Sequence, residues 1–181
     1  WIEGGSYVLN TTIDRFYVNY RKNNFEATVG RQRINWGKNL IWNPNDLFNA
    51  YSYFDFDYEE RPGSDAVRAK YYTGYTSHAE LVYQLADSVE GMAFSGLYEF
   101  NKWQYDFQFL GGYVRNDWVI GSGWSGNLGG GAFRGEVSYF YSNDDTVTNR
   151  HQVVFSISGD YTFKNQLYSQ LSIIFNSQGD T

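Results

Sequence analysis

Apolar side chains occupy every second position in segment after segment of this chain, and the positions between them carry Arg, Lys, Glu, Asp, Gln, Asn or Ser. The run from His151 to Phe163 displays the pattern. Val153, Phe155, Ile157, Tyr161 and Phe163 share one parity, and Gln152, Ser156, Ser158, Asp160 and Thr162 the other. Side chains on a strand repeat every two residues, so the pattern predicts a sheet with one greasy and one wet face. Ala79, Leu81, Tyr83 and Leu85 oppose His78, Glu80 and Gln84 in the same way. So do Tyr105, Phe107 and Phe109 against Asp106 and Gln108, and Val137, Tyr139 and Tyr141 against Arg134, Glu136 and Ser138.

What the greasy face meets decides the fold. Aromatic residues make up 20% of the chain, with 19 glycines and only 2 prolines, a balance suited to strands with aromatic girdles at two interfaces. No run of 18 apolar residues exists that would form a membrane helix. Short turns alternate with longer connections: Lys22-Asn23-Asn24, Gly74-Tyr75-Thr76, Asn101-Lys102, the Gly129-Gly130-Gly131 bend and Lys164-Asn165 on one side, and segments 37–64, 87–91 and 143–149 on the other. About ten strands result, most near the roughly 9–11 residues of a tilted crossing. The expected fold is all-β: an antiparallel transmembrane β-barrel, one unit over 1–181, with a long loop at 37–64. The connectivity and the loop-like end 176–181 predict an interior portion of a larger barrel. A soluble aromatic-rich sandwich is the competing architecture; it would bury the greasy face between two sheets.

Two details follow from parity. Phe25, Ala27 and Val29 share it with Arg31 and Arg33, so a bulge at Gly30 is expected to turn both arginines to the wet side. The strand from Trp118 can be read either way.

The stretch Gly30-Arg31-Gln32-Arg33-Ile34-Asn35-Trp36-Gly37, then Asn43-Pro44-Asn45-Asp46-Leu47-Phe48-Asn49, then Arg61-Pro62-Gly63-Ser64-Asp65-Ala66-Val67-Arg68, resembles a set found in porin-like outer-membrane β-barrels of Gram-negative bacteria. These include uncharacterised and alginate-export-like members. The resemblance is firm over Gly30 to Tyr72 and diffuse elsewhere. It implies a passive or loosely selective pore in a barrel longer than this chain, and supplies no solute.

The candidate pore-lining set is Arg15, Arg31, Arg33, Arg68, Lys70, Glu80, Asp106, Arg134 and Glu136. Facing one another across a lumen, these charges would make a transverse field that selects solutes; the plainer alternative is a ladder of ion pairs filling the interior. In the long loop, Asn43 with Pro44 after it reads as the cap and first position of a short helical turn to Asn49. Folded inward, that loop would constrict the lumen through Asn43, Asn45, Asp46, Asn49 and Arg61; folded outward, it would be an external cap. Tyr20, Trp36, Tyr71, Tyr83, Tyr98, Trp103, Tyr139 and Tyr161 are candidates for the headgroup zone.

Other chemistry is weakly supported. Asp55, Asp57, Glu59 and Glu60 lack calcium-loop spacing, and neither His78 nor His151 has zinc-type neighbours. No nucleophile elbow or phosphate-binding loop occurs, so no enzyme, cofactor or metal is expected. The net charge of -6 argues against nucleic acid, and zero cysteines exclude disulfides and thiolate metal sites. The expected location is the outer membrane, with lipid and small solutes as partners and envelope proteins as further ones. The leading expectation is a porin-like channel for passive diffusion of small hydrophilic or anionic solutes; the alternative is a plugged structural or interaction barrel in an envelope assembly.

Overall fold

The structure is a computed structural model that describes residues 2–4, 7–9, 13–48, 63–86, 91–144, 146 and 148–179. Two short strands, β1 (Ile2–Gly4) and β2 (Tyr7–Leu9), pair antiparallel with each other. Ten more form a single sheet: β3 (Phe16–Lys22), β4 (Phe25–Gln32), β5 (Ser64–Tyr72), β6 (His78–Gln84), β7 (Ala93–Lys102), β8 (Tyr105–Val114), β9 (Asp117–Leu128), β10 (Gly131–Ser142), β11 (His151–Thr162) and β12 (Tyr168–Asn176). Each strand pairs antiparallel with the next in sequence, an uninterrupted meander. No α-helix occurs among the described residues. The sheet is open: β3 and β12 are its two edges and do not pair with each other.

Tight hairpins set the register. Trp103 (φ 56°) with Gln104 (φ 66°), Arg115 (φ 50°) with Asn116 (φ 72°), and Gly129 (φ 62°) with Gly130 (φ 89°) each join strands through two left-handed residues. That conformation matches the twist of the strands it connects. The first of these turns lies two residues beyond the expected Asn101-Lys102, because Asn101 pairs with Asp106 in the ladder and donates its side-chain amide to that carboxylate at 2.8 Å.

Along β6, β8, β10 and β11 the predicted greasy parity lies on one face. Phe94, Tyr98, Phe109, Trp118, Ile120, Leu171, Ile173 and Phe175 are all exposed there, and among the described residues no second layer covers them. β9 joins the pattern with Trp118, Ile120 and Trp124 outward and Val119, Gly121 and Gly123 inward.

The expected bulge at Gly30 is absent. Gly30 pairs one to one with Tyr17 and with Ala66, and the ladder runs unbroken on both sides. Arg31 therefore stays on the face of Val29, where its guanidinium binds the Asp65 carboxylate through two contacts at 3.2 and 3.0 Å. A cross-strand ion pair near the strand end makes the exposed outward arginine tolerable and removes the need for a phase change. Gly30 has its own reason: φ is +121°, and a Cβ there would sit 2.4 Å from the Phe16 carbonyl oxygen.

The inner face has two tiers. Toward the ends carrying the longer connections it is apolar, with Ala66, Val82, Ala93, Leu97, Leu110, Val114 and Val119 buried. Toward the short turns it is charged, with Lys70, His78, Glu99, Asp106, Arg134 and Asp160 on the same parity.

Candidate functional site

Residues 33–48, which follow β4, lie across the inner face and cover its apolar tier. Ile34, Trp36, Leu47 and Phe48 are buried against it, with Phe48 edge-on to Trp36 at 4.8 Å between centroids. Full burial of such side chains stabilises by about 1.5–3 kcal/mol each, so hydrophobic contact alone favours the docked position. Polar groups fix its register. Glu136, fully buried in β10, accepts the backbone N–H groups of Lys38, Asn39 (2.8 Å) and Asn45 (2.9 Å). One carboxylate thus satisfies three loop donors that would otherwise be buried without partners.

Small polar residues of neighbouring strands complete the cradle. Ser138 donates to the Asn45 side-chain oxygen (2.7 Å), Asn45 donates to the Ser122 carbonyl (3.0 Å), Asn39 donates to the Ser156 hydroxyl (2.8 Å), and Ser158 donates to the Asn39 side-chain oxygen (2.6 Å). Gln108 donates to the Trp36 carbonyl (2.7 Å) and Arg115 to that of Leu47 (2.6 Å). Room comes from β9, where a Cβ on Gly121 would stand 2.7 Å from the Asn45 oxygen and one on Gly123 3.1 Å from its nitrogen.

These contacts also curl the sheet. Trp36 reaches Glu80 on β6 (2.8 Å) and Asn39 reaches Ser156 on β11. In a flat sheet those strands would lie roughly 24 Å apart, at about 4.8 Å per strand, yet three residues of chain extend only about 10 Å. Inner side chains stand nearly upright on the sheet, so the strands must bend round the segment to meet it.

Beside the loop lies a recess of about 130 Å³ whose lining includes Lys38, Arg68, Lys70, His78, Glu80 and Glu99. Glu80 is buried and fully engaged. Its two oxygens meet Trp36 Nε1 (2.8 Å), Arg68 Nε and Nη2 (both 3.0 Å) and Lys70 Nζ (3.1 Å), with His78 Nε2 at 3.9 Å. Lys38 Nζ contacts Glu99 at 2.7 Å. The carboxylates hold the cationic heads in place along the recess wall.

Of the residues singled out by sequence, Arg68, Lys70 and Glu80 come together here. Glu136 is inward but serves the loop. Asp106 lies inward beside Asn101, and Arg134 is inward in an ion pair with Asp160. Arg15 lies ahead of β3, exposed beside Asp14 at 3.2 Å; Arg31 is on the outer face, and Arg33 is exposed just past β4. Asn45 and Asp46 are buried in the docked segment. Asn43 caps no helix. Its backbone carbonyl accepts from Asp46 N (3.0 Å) in a turn, while its side-chain oxygen is buried without a hydrogen bond; the competing docking bonds to Asn45 hold this stretch in turns. Asn49, Arg61, Asp55, Asp57, Glu59 and Glu60 lie outside the described residues.

Trp36 is not a rim aromatic: it is buried between the docked segment and the inner face, where its indole N–H finds Glu80 and its ring finds Phe48. Lys38, Asn39 and Glu99 carry no signal in the sequence as site residues, and Gln108 shows there only as a wet-parity position. A signal for the docking track existed in the run of Ser138, Ser156 and Ser158 with Gly121 and Gly123, small groups on the wet parity where long charges would leave no space. Among the described residues no three His, Asp or Glu side chains converge as metal ligands. Comparison with known proteins found no matching family model, curated protein or solved structure.

Proposed function

We propose that this chain forms the wall of a porin-like outer-membrane β-barrel through which small hydrophilic or anionic solutes diffuse, with the docked segment 33–48 narrowing the path. The observation that carries the reading is the apolar face, with exposed large apolar side chains on nine of the ten strands, opposite an inner face that buries Glu80, Glu136, Gln108 and serines. Soluble monomers rarely expose contiguous apolar patches beyond a few hundred Å², and a charge on that face at mid-bilayer would cost about 2–4 kcal/mol. Hydrocarbon outside and water inside accounts for both faces at once. The docked loop and the charged tier beside it then act as a constriction with a field. A plugged anchor of an envelope assembly is the second reading, favoured by how thoroughly the loop fills the apolar tier. Planar-bilayer recording of the purified chain distinguishes them: discrete, ohmic conductance steps are expected of the channel, whereas insertion without steps would leave only the plugged form.

A further inference from the structure

We propose that the recess beside the docked loop is a binding station for small oxyanions, with Lys38, Lys70 and Arg68 as its ligands. The inference rests on the channel reading only for its role in transport; binding stands by itself. Three cations line the recess against two carboxylates, Glu80 and Glu99, leaving a surplus of one positive charge with His78 neutral. Glu80 does not quench the site. Glu80 is 3% exposed and already accepts from Trp36, Arg68 and Lys70, so it is committed to the wall and positions the two cationic heads. Contact with one carboxylate oxygen engages one of the three donors of a lysine ammonium. Lys38 and Lys70, each about one-sixth exposed at the side chain, keep a face to solvent.

The two lysines come from different elements, one from the loop and one from β5, and both line the same recess. Size limits the ligand: about 130 Å³ is the room of roughly four waters at about 30 Å³ each. Acetate and inorganic phosphate fit within that room. The site therefore selects by charge, where Lys38 of the loop and Lys70 of β5 line one recess.

Binding of acetate and of inorganic phosphate to the whole chain in detergent micelles is the test, followed by nuclear magnetic resonance line broadening of each anion and by competition between them. Saturable, mutually competitive binding is expected. Lys38→Gln combined with Lys70→Gln should weaken it by about tenfold or more, and Glu99→Gln, which frees Lys38, should tighten it. These opposite signs separate loss of the site from loss of the fold. Binding unchanged in both variants, or absent in the parent, overturns the site. In bilayers, discrete steps whose anion preference ignores the variants also refute it while leaving the channel intact; saturable binding without any steps supports the site and refutes the channel.

Discussion

Glu136 ties two separate parts of the docked segment to β10. Its Oε1 accepts from Lys38 N and Asn39 N, and its Oε2 from Asn45 N, so two parts of the docked segment hang on one carboxylate. Truncation by Glu136→Ala orphans all three donors, at about 1–3 kcal/mol each before water refills the gap. A net loss of about 3 kcal/mol in loop docking is expected, which hydrogen exchange reads as roughly hundredfold faster exchange of those three amides. Glu136→Gln should release mainly the Asn45 arm, since the amide nitrogen that replaces Oε2 cannot accept. Equal and unchanged protection in both variants would mean the loop is held by something else. At this scale the sequence was half legible. Glu136 stood out as an inward charge, but its partners are backbone groups remote in sequence, which no side-chain pattern announces. The same blindness hid Trp36, whose ring serves a core that forms only once 33–48 folds back.

Strand parity was the most legible property of the elements, because a period of two survives any error in strand ends. It failed in two instructive places. Parity predicts a phase change at Gly30 that brings Arg31 inward, yet Asp65 directly across the ladder neutralises that arginine where it is. The β9 strand looked ambiguous because its inner positions include Gly121 and Gly123, chosen for the space they leave beside Asn45. The docked path itself was an open alternative, since inward and outward loops share a composition. The chain has no cysteine, which makes a clean check available. Cysteines introduced in place of Asn39 and Ser156, whose side chains meet at 2.8 Å, should be joined in high yield by a short bifunctional thiol reagent. A pair at Leu40, which is exposed, and Ser156 should react far less. Equal yields from both pairs would show that the segment has no fixed seat on β11.

At the scale of the whole molecule, one sheet separates two environments. Ten strands put Phe16, Val29, Leu81, Phe94, Phe109, Ile120 and Leu171 on an uncovered side, and the opposite side curls round its own loop. Both edges, β3 and β12, end in unpaired ladders, which proteins seldom leave bare. On the channel reading, the apolar face would meet lipid and the polar face an enclosed interior, the arrangement a bilayer demands of strands. Which solvent wets the outer face is the central claim, and spin labels measure it directly. Labels placed singly at Leu81, Phe109 and Leu171 in liposomes should collide more with oxygen than with a water-soluble nickel chelate. Labels at His78 and Thr162, on the inner parity, should show the reverse. Outer labels that favour the nickel chelate, or that are shielded from both reagents in a monodisperse detergent-free protein, would contradict the account.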